Sequence, residues 1–190
     1  MKEKLLWAIL VAVLLGVPAA FFVQQSQKPK LPHYGTVSDF TLTERNSRSV
    51  SRKDLRGKIW VADFIFTSCA GQCPMMSQQT ERLQHQLPSS VTFVSFTVDP
   101  ERDTPEVLAD YSRNYNADSS RWLFLTGNKE TLTQVTTSFY MDGIEDPNLH
   151  SIRFALVDPH SQIRGYYDAS DPQALQKLSS DVAILLKEPH

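Results

Sequence analysis

The apolar positions of this chain fall into runs of two kinds. Residues 59–66, Ile-Trp-Val-Ala-Asp-Phe-Ile-Phe, and residues 91–98, Val-Thr-Phe-Val-Ser-Phe-Thr-Val, are apolar with little alternation, the pattern of strands buried on both faces. Between them Pro74 precedes a mixed stretch over residues 75–87 that predicts a helix. The three together predict a β-α-β unit with parallel strands. Asp103-Thr104-Pro105-Glu106 reads as a helix start running to about Tyr115: Asp or Thr can cap, proline fits the first turn, and glutamate can return to the cap. Residues 122–125 predict a strand closed by Thr126-Gly127-Asn128, and residues 129–140 another helix. After that the period changes. Residues 151–157 and 162–167 flank Asp158-Pro159-His160-Ser161 as a hairpin, and Asp171-Pro172 opens a last helix through about Lys187. An earlier hairpin is expected around residues 37–42 and 49–50.

This succession predicts an α/β fold, a thioredoxin-like three-layer sandwich, as one domain over residues 35–190. Ahead of it, residues 5–23 carry no charge and at ~1.5 Å per residue span roughly 28 Å, about one hydrocarbon core. Val17-Pro18-Ala19 offers a weak signal-cleavage site, but Phe21, Phe22 and Val23 continue the apolar run beyond it, so residues 1–23 are expected to be an uncleaved transmembrane anchor with a short cytoplasmic N-terminus. Lys2 and Lys4 on one side are nearly balanced by Lys28 and Lys30 on the other. The expected arrangement is a single pass through a bacterial inner membrane, with the domain on the periplasmic side. Residues 24–34, with Gln, Ser, Lys and two Pro, have the composition of a solvated linker.

Composition narrows the function. The 190 residues carry 19 Lys+Arg against 21 Asp+Glu, a formal charge of −2, so no basic stripe favours a nucleic-acid partner. With 41% hydrophobic residues the chain is not disordered. Two cysteines cannot build a disulfide scaffold or a four-thiolate zinc site, so whatever the thiols do, they do as a pair.

Cys69-Ala70-Gly71-Gln72-Cys73 places that pair between a buried strand and a helix start. Were the segment helical, residues i and i+4 would share a face and both sulfurs could chelate one ion or close a disulfide. Unpaired N–H groups at a helix start also stabilise thiolates. The bland alternative is a staple, but so short a loop removes only about 2 kcal/mol of chain entropy. A metal asks for further ligands, and the candidates are His33, His85, His150, His160, His190 and the thioethers of Met75 and Met76. His33 falls in the linker, His190 is the last residue, His85 lies on a mainly polar helix, and methionines more often fill a core. His150 differs, because it stands in a loop just before a predicted strand that could aim it.

Phe64-Ile65-Phe66-Thr67-Ser68-Cys69 through Cys73-Pro74, Val98-Asp99-Pro100-Glu101-Arg102-Asp103-Thr104-Pro105, Trp122-Leu123-Phe124-Leu125-Thr126-Gly127, and His150-Ser151 leading to Leu156-Val157-Asp158 together resemble the SCO/SenC family in order and spacing. The resemblance covers most of residues 35–187. It implies a thioredoxin fold on a membrane anchor, one copper ion bound through two cysteines and a distal histidine, and service in assembling the binuclear copper centre of cytochrome c oxidase. The implied partners are the copper-receiving subunit of that oxidase and another periplasmic copper chaperone. Carried over, the metal ligands are Cys69, Cys73 and His150. Soft thiolates select Cu(I), and an added imidazole makes a three-ligand site that also accommodates Cu(II). Ala70 stands where the family often has Pro, and Gly71-Gln72 replaces a common acidic position.

A second reading uses the same cysteines. Asp63, six residues before Cys69, also resembles thioredoxin, whose buried carboxylate assists proton transfer to the second cysteine; a buried Asp tends to a raised pKa. The competing role for Asp63 is a hydrogen bond to backbone or a hydroxyl. On this reading Cys69 and Cys73 are catalytic in a thiol-disulfide oxidoreductase that reduces a copper-receiving partner. A peroxidase fits poorly, because Phe66 stands where a threonine is usually needed. A non-catalytic copper sensor or redox-signalling module is a third class. Asp99, Glu101 and Asp103 could form an acidic surface, but turn and cap chemistry is the expected account.

Overall fold

The two apolar runs form the centre of a mixed eight-stranded sheet in the computed structural model, which describes Trp7, residues 30–139 and residues 152–188. Strands β4 (Ile59–Ile65) and β5 (Val91–Thr97) are buried at every position and pair in parallel, from Ile59 opposite Val91 to Ile65 opposite Thr97. Strand β6 (Trp122–Thr126) continues in parallel beyond β5. The predicted hairpin is β7 (Arg153–Val157) and β8 (Gln162–Asp168), with β7 antiparallel to β4. At the sheet edges, β1 (Gly35–Thr36) pairs with β8, while β2 (Thr41–Glu44) and β3 (Ser49–Ser51) form a hairpin docked through β2 on β6. The early hairpin thus starts later than expected, and Val37 and Phe40 are buried in the connection that runs between the two edges. The order is β1-β8-β7-β4-β5-β6-β2-β3.

Helices α1 (Gln72–Gln86) and α2 (Pro105–Arg113) are the crossovers of the parallel strands and cover one face. Ser77 of α1 and Tyr111 of α2 share a 2.8 Å hydroxyl contact, and the Tyr111 ring lies edge-on to Phe124 of β6. Helix α4 (Pro172–Leu185) joins them, with the Tyr167 hydroxyl of β8 donating to Asp181 at 2.7 Å. The other face carries α3 (Lys129–Ser138) and the buried Phe139, whose ring lies 5.9, 5.4 and 6.1 Å from Trp60, Phe64 and Phe96. Each such ring fully buried contributes roughly 1.5–3 kcal/mol by removing apolar area from water. The helix starts follow their caps: Thr104, Asn128 and Asp171 accept from Val107, Thr131 and Gln173 N–H groups.

The topology gives the sheet two poles. The C-terminal ends of β4, β5 and β6 lie at one; the hairpin turn after Val157 lies at the other, because Val157 stands opposite Trp60 at the start of β4. Residues Leu31–His190 group as one compact unit, apart from Met1–Lys30. Among the described residues no helix is long and apolar enough to cross a membrane. The expected anchor over residues 5–23 lies, Trp7 aside, outside the described residues.

Candidate metal centre

Strand β4 ends at Ile65, and the chain turns through Phe66 to Gly71 before α1 begins at Gln72. The helix starts earlier than the expected position 75, with Pro74 in its first turn, where a missing N–H costs no intrahelical bond. Cys73 therefore lies within the helix and Cys69 in the loop before it, so the sulfurs do not meet as an i, i+4 pair on one helix face. Instead the loop curls back. Gly71 at the N-cap has no side chain to offer, and the Cys69 Sγ accepts the Cys73 N–H at 3.5 Å. The Phe66 N–H donates to the Cys73 Sγ at 3.4 Å, and the Cys69 N–H to the Phe66 carbonyl at 3.2 Å.

The two thiols, not joined in a disulfide, differ in kind. Cys73 is fully buried and Cys69 is half-buried. Burial pushes the Cys69 thiol up, but N–H groups of Cys73, Gly71 and Gln72 and the Cys73 side chain outweigh it and hold it below its ordinary value. Burial, together with the neighbouring Cys69 and Asp63, drives the Cys73 thiol well above its ordinary value despite the Phe66 N–H. Cys69 is the ready nucleophile; Cys73 gives up its proton only to a base or to a cation that replaces it.

Asp63 lies behind the pair on the face covered by α1. Thr80 donates to its Oδ2 at 3.2 Å, whereas Oδ1 has no hydrogen-bond partner. Burial raises its carboxyl to about 6 against the pull of Ser95 and Thr80. Asp63 is thus hydrogen-bonded to a hydroxyl, as one reading expects, and its carboxyl is raised by burial, as the other requires.

Asp103 departs from the expected role. Thr104, not Asp103, caps α2. The fully buried Asp103 carboxylate accepts from the Thr67 N–H at 3.2 and 3.3 Å, and from the Thr67 and Thr97 hydroxyls at 2.5 Å each. Burial raises its pKa against those donors. Sequence reasoning missed this contact, and the available signal was redundancy: two adjacent cap candidates for one helix start. Asp99 and Glu101 do belong to the turn, where the Asp99 carbonyl accepts from Arg102 and Asp103 N–H groups.

The remaining ligand candidates separate by pole. His33 and His160 are exposed at the hairpin pole, beside β1 and in the β7–β8 turn, and His85 is exposed in the last turn of α1. With α1 about 20 Å long at ~1.5 Å per residue, His85 is a helix length from Cys73. Met76 is core and Met75 packs against it. His150 and His190 lie outside the described residues, and among the described residues no three His, Cys, Asp or Glu side chains cluster to hold a metal. Strand β7, however, begins with Arg153, two positions before Ala155, and Ala155 stands opposite Ala62 in the antiparallel pair, so the chain comes into β7 from the cysteine pole.

A family model described as SCO1/SenC matches residues 28–185. The chain is 32% identical over 165 residues to the SCO1 protein homolog of Bacillus subtilis, covering 82% of this chain and 86% of that one. It is 30% identical over 150 residues to a protein of Stutzerimonas stutzeri named as a candidate copper-binding protein, covering 73% and 72% of the two. Its fold superposes with a TM-score of 0.73, at 31% identity over 86% of this chain and 100% of the other, on BsSco, a member of the Sco family of cytochrome c oxidase assembly proteins in which a disulfide switch was identified. The expected thioredoxin-like α/β fold is thus shared with a solved Sco structure, and the chain belongs to the SCO1/SenC family.

Proposed function

We propose that this protein is a copper chaperone that holds one ion as cargo through Cys69, Cys73 and His150 and delivers it to the copper-receiving subunit of cytochrome c oxidase during assembly. The observation that carries the proposal is the unlike thiol pair, one buried and one half-exposed, at the pole from which the chain comes into β7. Two thiolates suit Cu(I), and a site open on the Cys69 side suits handover by ligand exchange. His150 is two residues from Ile152, and a chain reaches at most about 3.6 Å per residue, so a short tether supports it as third ligand; the described histidines are at the wrong end. The copper binding suggested for the Stutzerimonas relative and the oxidase-assembly role of BsSco support the same reading. The charge-free run over residues 5–23 supports a membrane anchor with the domain on the periplasmic side.

The test is to reduce the full chain in detergent, load it separately with Cu(I) and Cu(II), and measure stoichiometry and absorption. One copper per chain is expected, with a thiolate-to-Cu(II) band abolished in Cys69→Ser and Cys73→Ser and Cu(II) binding strongly weakened in His150→Ala. Absence of tight copper binding, with a readily cycled Cys69–Cys73 disulfide, moves the assignment to the oxidoreductase.

Asp63 favours that second reading. In it Cys69 attacks a partner disulfide, Cys73 resolves the mixed disulfide as Asp63 takes its proton, and two electrons pass to the partner's thiols. Asp63→Asn should then slow exchange above pH 6 while copper stoichiometry stays the same. His150→Ala should leave exchange largely intact.

A further inference from the structure

We infer that Asp103 is a positioning residue that holds the Cys69 loop in register with buried Cys73, an inference that rests on the reading of this pair as the working site. Two consecutive backbone N–H groups leave the end of β4. That of Phe66 goes to the Cys73 sulfur and that of Thr67 to Asp103. The Thr67 hydroxyl reaches the same carboxylate, whose other oxygen is bound by Thr97, the last residue of β5. Thr97 is fixed in turn, because its hydroxyl also accepts the Asp99 N–H at 2.9 Å. One acceptor-only group thus ties the start of the cysteine loop to the end of the neighbouring parallel strand.

The consequence is mechanical. Cys69 follows Thr67 by two residues and hangs from the Phe66 carbonyl by its own N–H. Without the carboxylate, the N–H and hydroxyl of half-buried Thr67 and the buried Thr97 hydroxyl lose their acceptor, and the loop must move to find water. The approach of Cys69 to the first turn of α1 depends on where Thr67 is held, so the effective concentration of one thiol at the other falls. Asparagine keeps the Thr67 contacts through its carbonyl oxygen and still bridges to Thr97, with the amide as donor and the Thr97 hydroxyl as acceptor. Alanine does not.

The decisive measurement is the disulfide equilibrium of the metal-free full chain in glutathione buffers, where the Cys69/Cys73 dithiol and oxidised glutathione yield the disulfide and two reduced glutathiones. Asp103→Ala should lower this equilibrium constant about tenfold and shift the Cu(II)-thiolate band, while Asp103→Asn stays within about twofold of wild type. Arg164→Met, at the opposite pole, controls for a general loss of stability and should move the urea midpoint only. Thr97→Val, which removes one partner of Asp103 and leaves the loop sequence alone, should give an intermediate shift and keeps the test open if Asp103→Ala does not fold. Asp103→Ala, or failing that Thr97→Val, with a wild-type equilibrium constant overturns the inference. A wild-type chain that binds no copper overturns the copper reading, and the disulfide measurement still decides the role of Asp103.

Discussion

The two poles of the sheet hold their buried charged groups differently. At the hairpin pole Arg164 of β8 engages every N–H it has: Nε on the Pro32 carbonyl at 2.9 Å, Nη1 on Asp158 at 2.9 Å and Glu188 at 3.3 Å, and Nη2 on the Leu31 carbonyl at 3.0 Å and Glu188 at 3.4 Å. Asp158 is as fully occupied, since it also accepts the N–H groups of His160 and Gln162. At the cysteine pole Asp63 keeps one oxygen without a partner, and Cys73, Asp63 and Asp103 are all pushed toward their protonated forms by burial. A closed network of paired charges holds Leu31, Pro32 and Glu188 against β8. Perturbed groups beside a half-exposed thiol are where chemistry concentrates.

Breaking the closed network should have the largest effect on stability and none on the site. Arg164→Met leaves Asp158 buried without its countercharge and should cost roughly 3–5 kcal/mol in urea unfolding, with copper stoichiometry and disulfide equilibrium unchanged. A fall in copper binding would mean that the poles are coupled.

Asp63 should give the next effect, with a defined sign. Its folded pKa of about 6 lies above the ordinary 3.8, so the folded state holds the proton more tightly than the unfolded chain between these values. Its contribution is fully present below about pH 4 and is lost as pH rises through 6, a change of about 3 kcal/mol. Asp63→Asn should flatten that part of the pH–stability curve and be more stable than wild type at pH 8. An unchanged slope would mean that the buried carboxyl does not titrate in this range.

The smallest effect sharpens the contrast within the cysteine pole. Thr104→Ala removes the cap of α2 and should cost about 1 kcal/mol, visible as a small drop in urea midpoint, while the disulfide equilibrium stays put. Its neighbour Asp103 should instead shift the disulfide equilibrium when replaced by alanine and leave it near wild type when replaced by asparagine. Adjacent residues, one a local cap and one a long-range tether, would then separate cleanly.

Much of this was legible along the chain, for physical reasons. Burial on both faces writes an unbroken apolar run, so β4 and β5 announce themselves; caps and proline write helix starts within a turn, so α2 and α4 do too. That the cysteine pair falls where β4 gives way to α1 was equally plain. Strand β1 was not, because two residues carry little pattern and its partner β8 stands far away in sequence; the early hairpin was legible, but not where its first strand begins, because four residues leave that start open.

The sequence by itself determined the order of elements, the single cysteine pair, and the family to which both belong, because each is written in neighbouring residues. Only the tertiary structure decided that Cys69 is held down and Cys73 pushed up, that Asp63 keeps an unpaired oxygen, and that Asp103 serves Thr67 rather than its own helix. Those properties depend on burial and on hydrogen bonds between residues as far as 36 positions apart, and neither is expressed in any local stretch of chain.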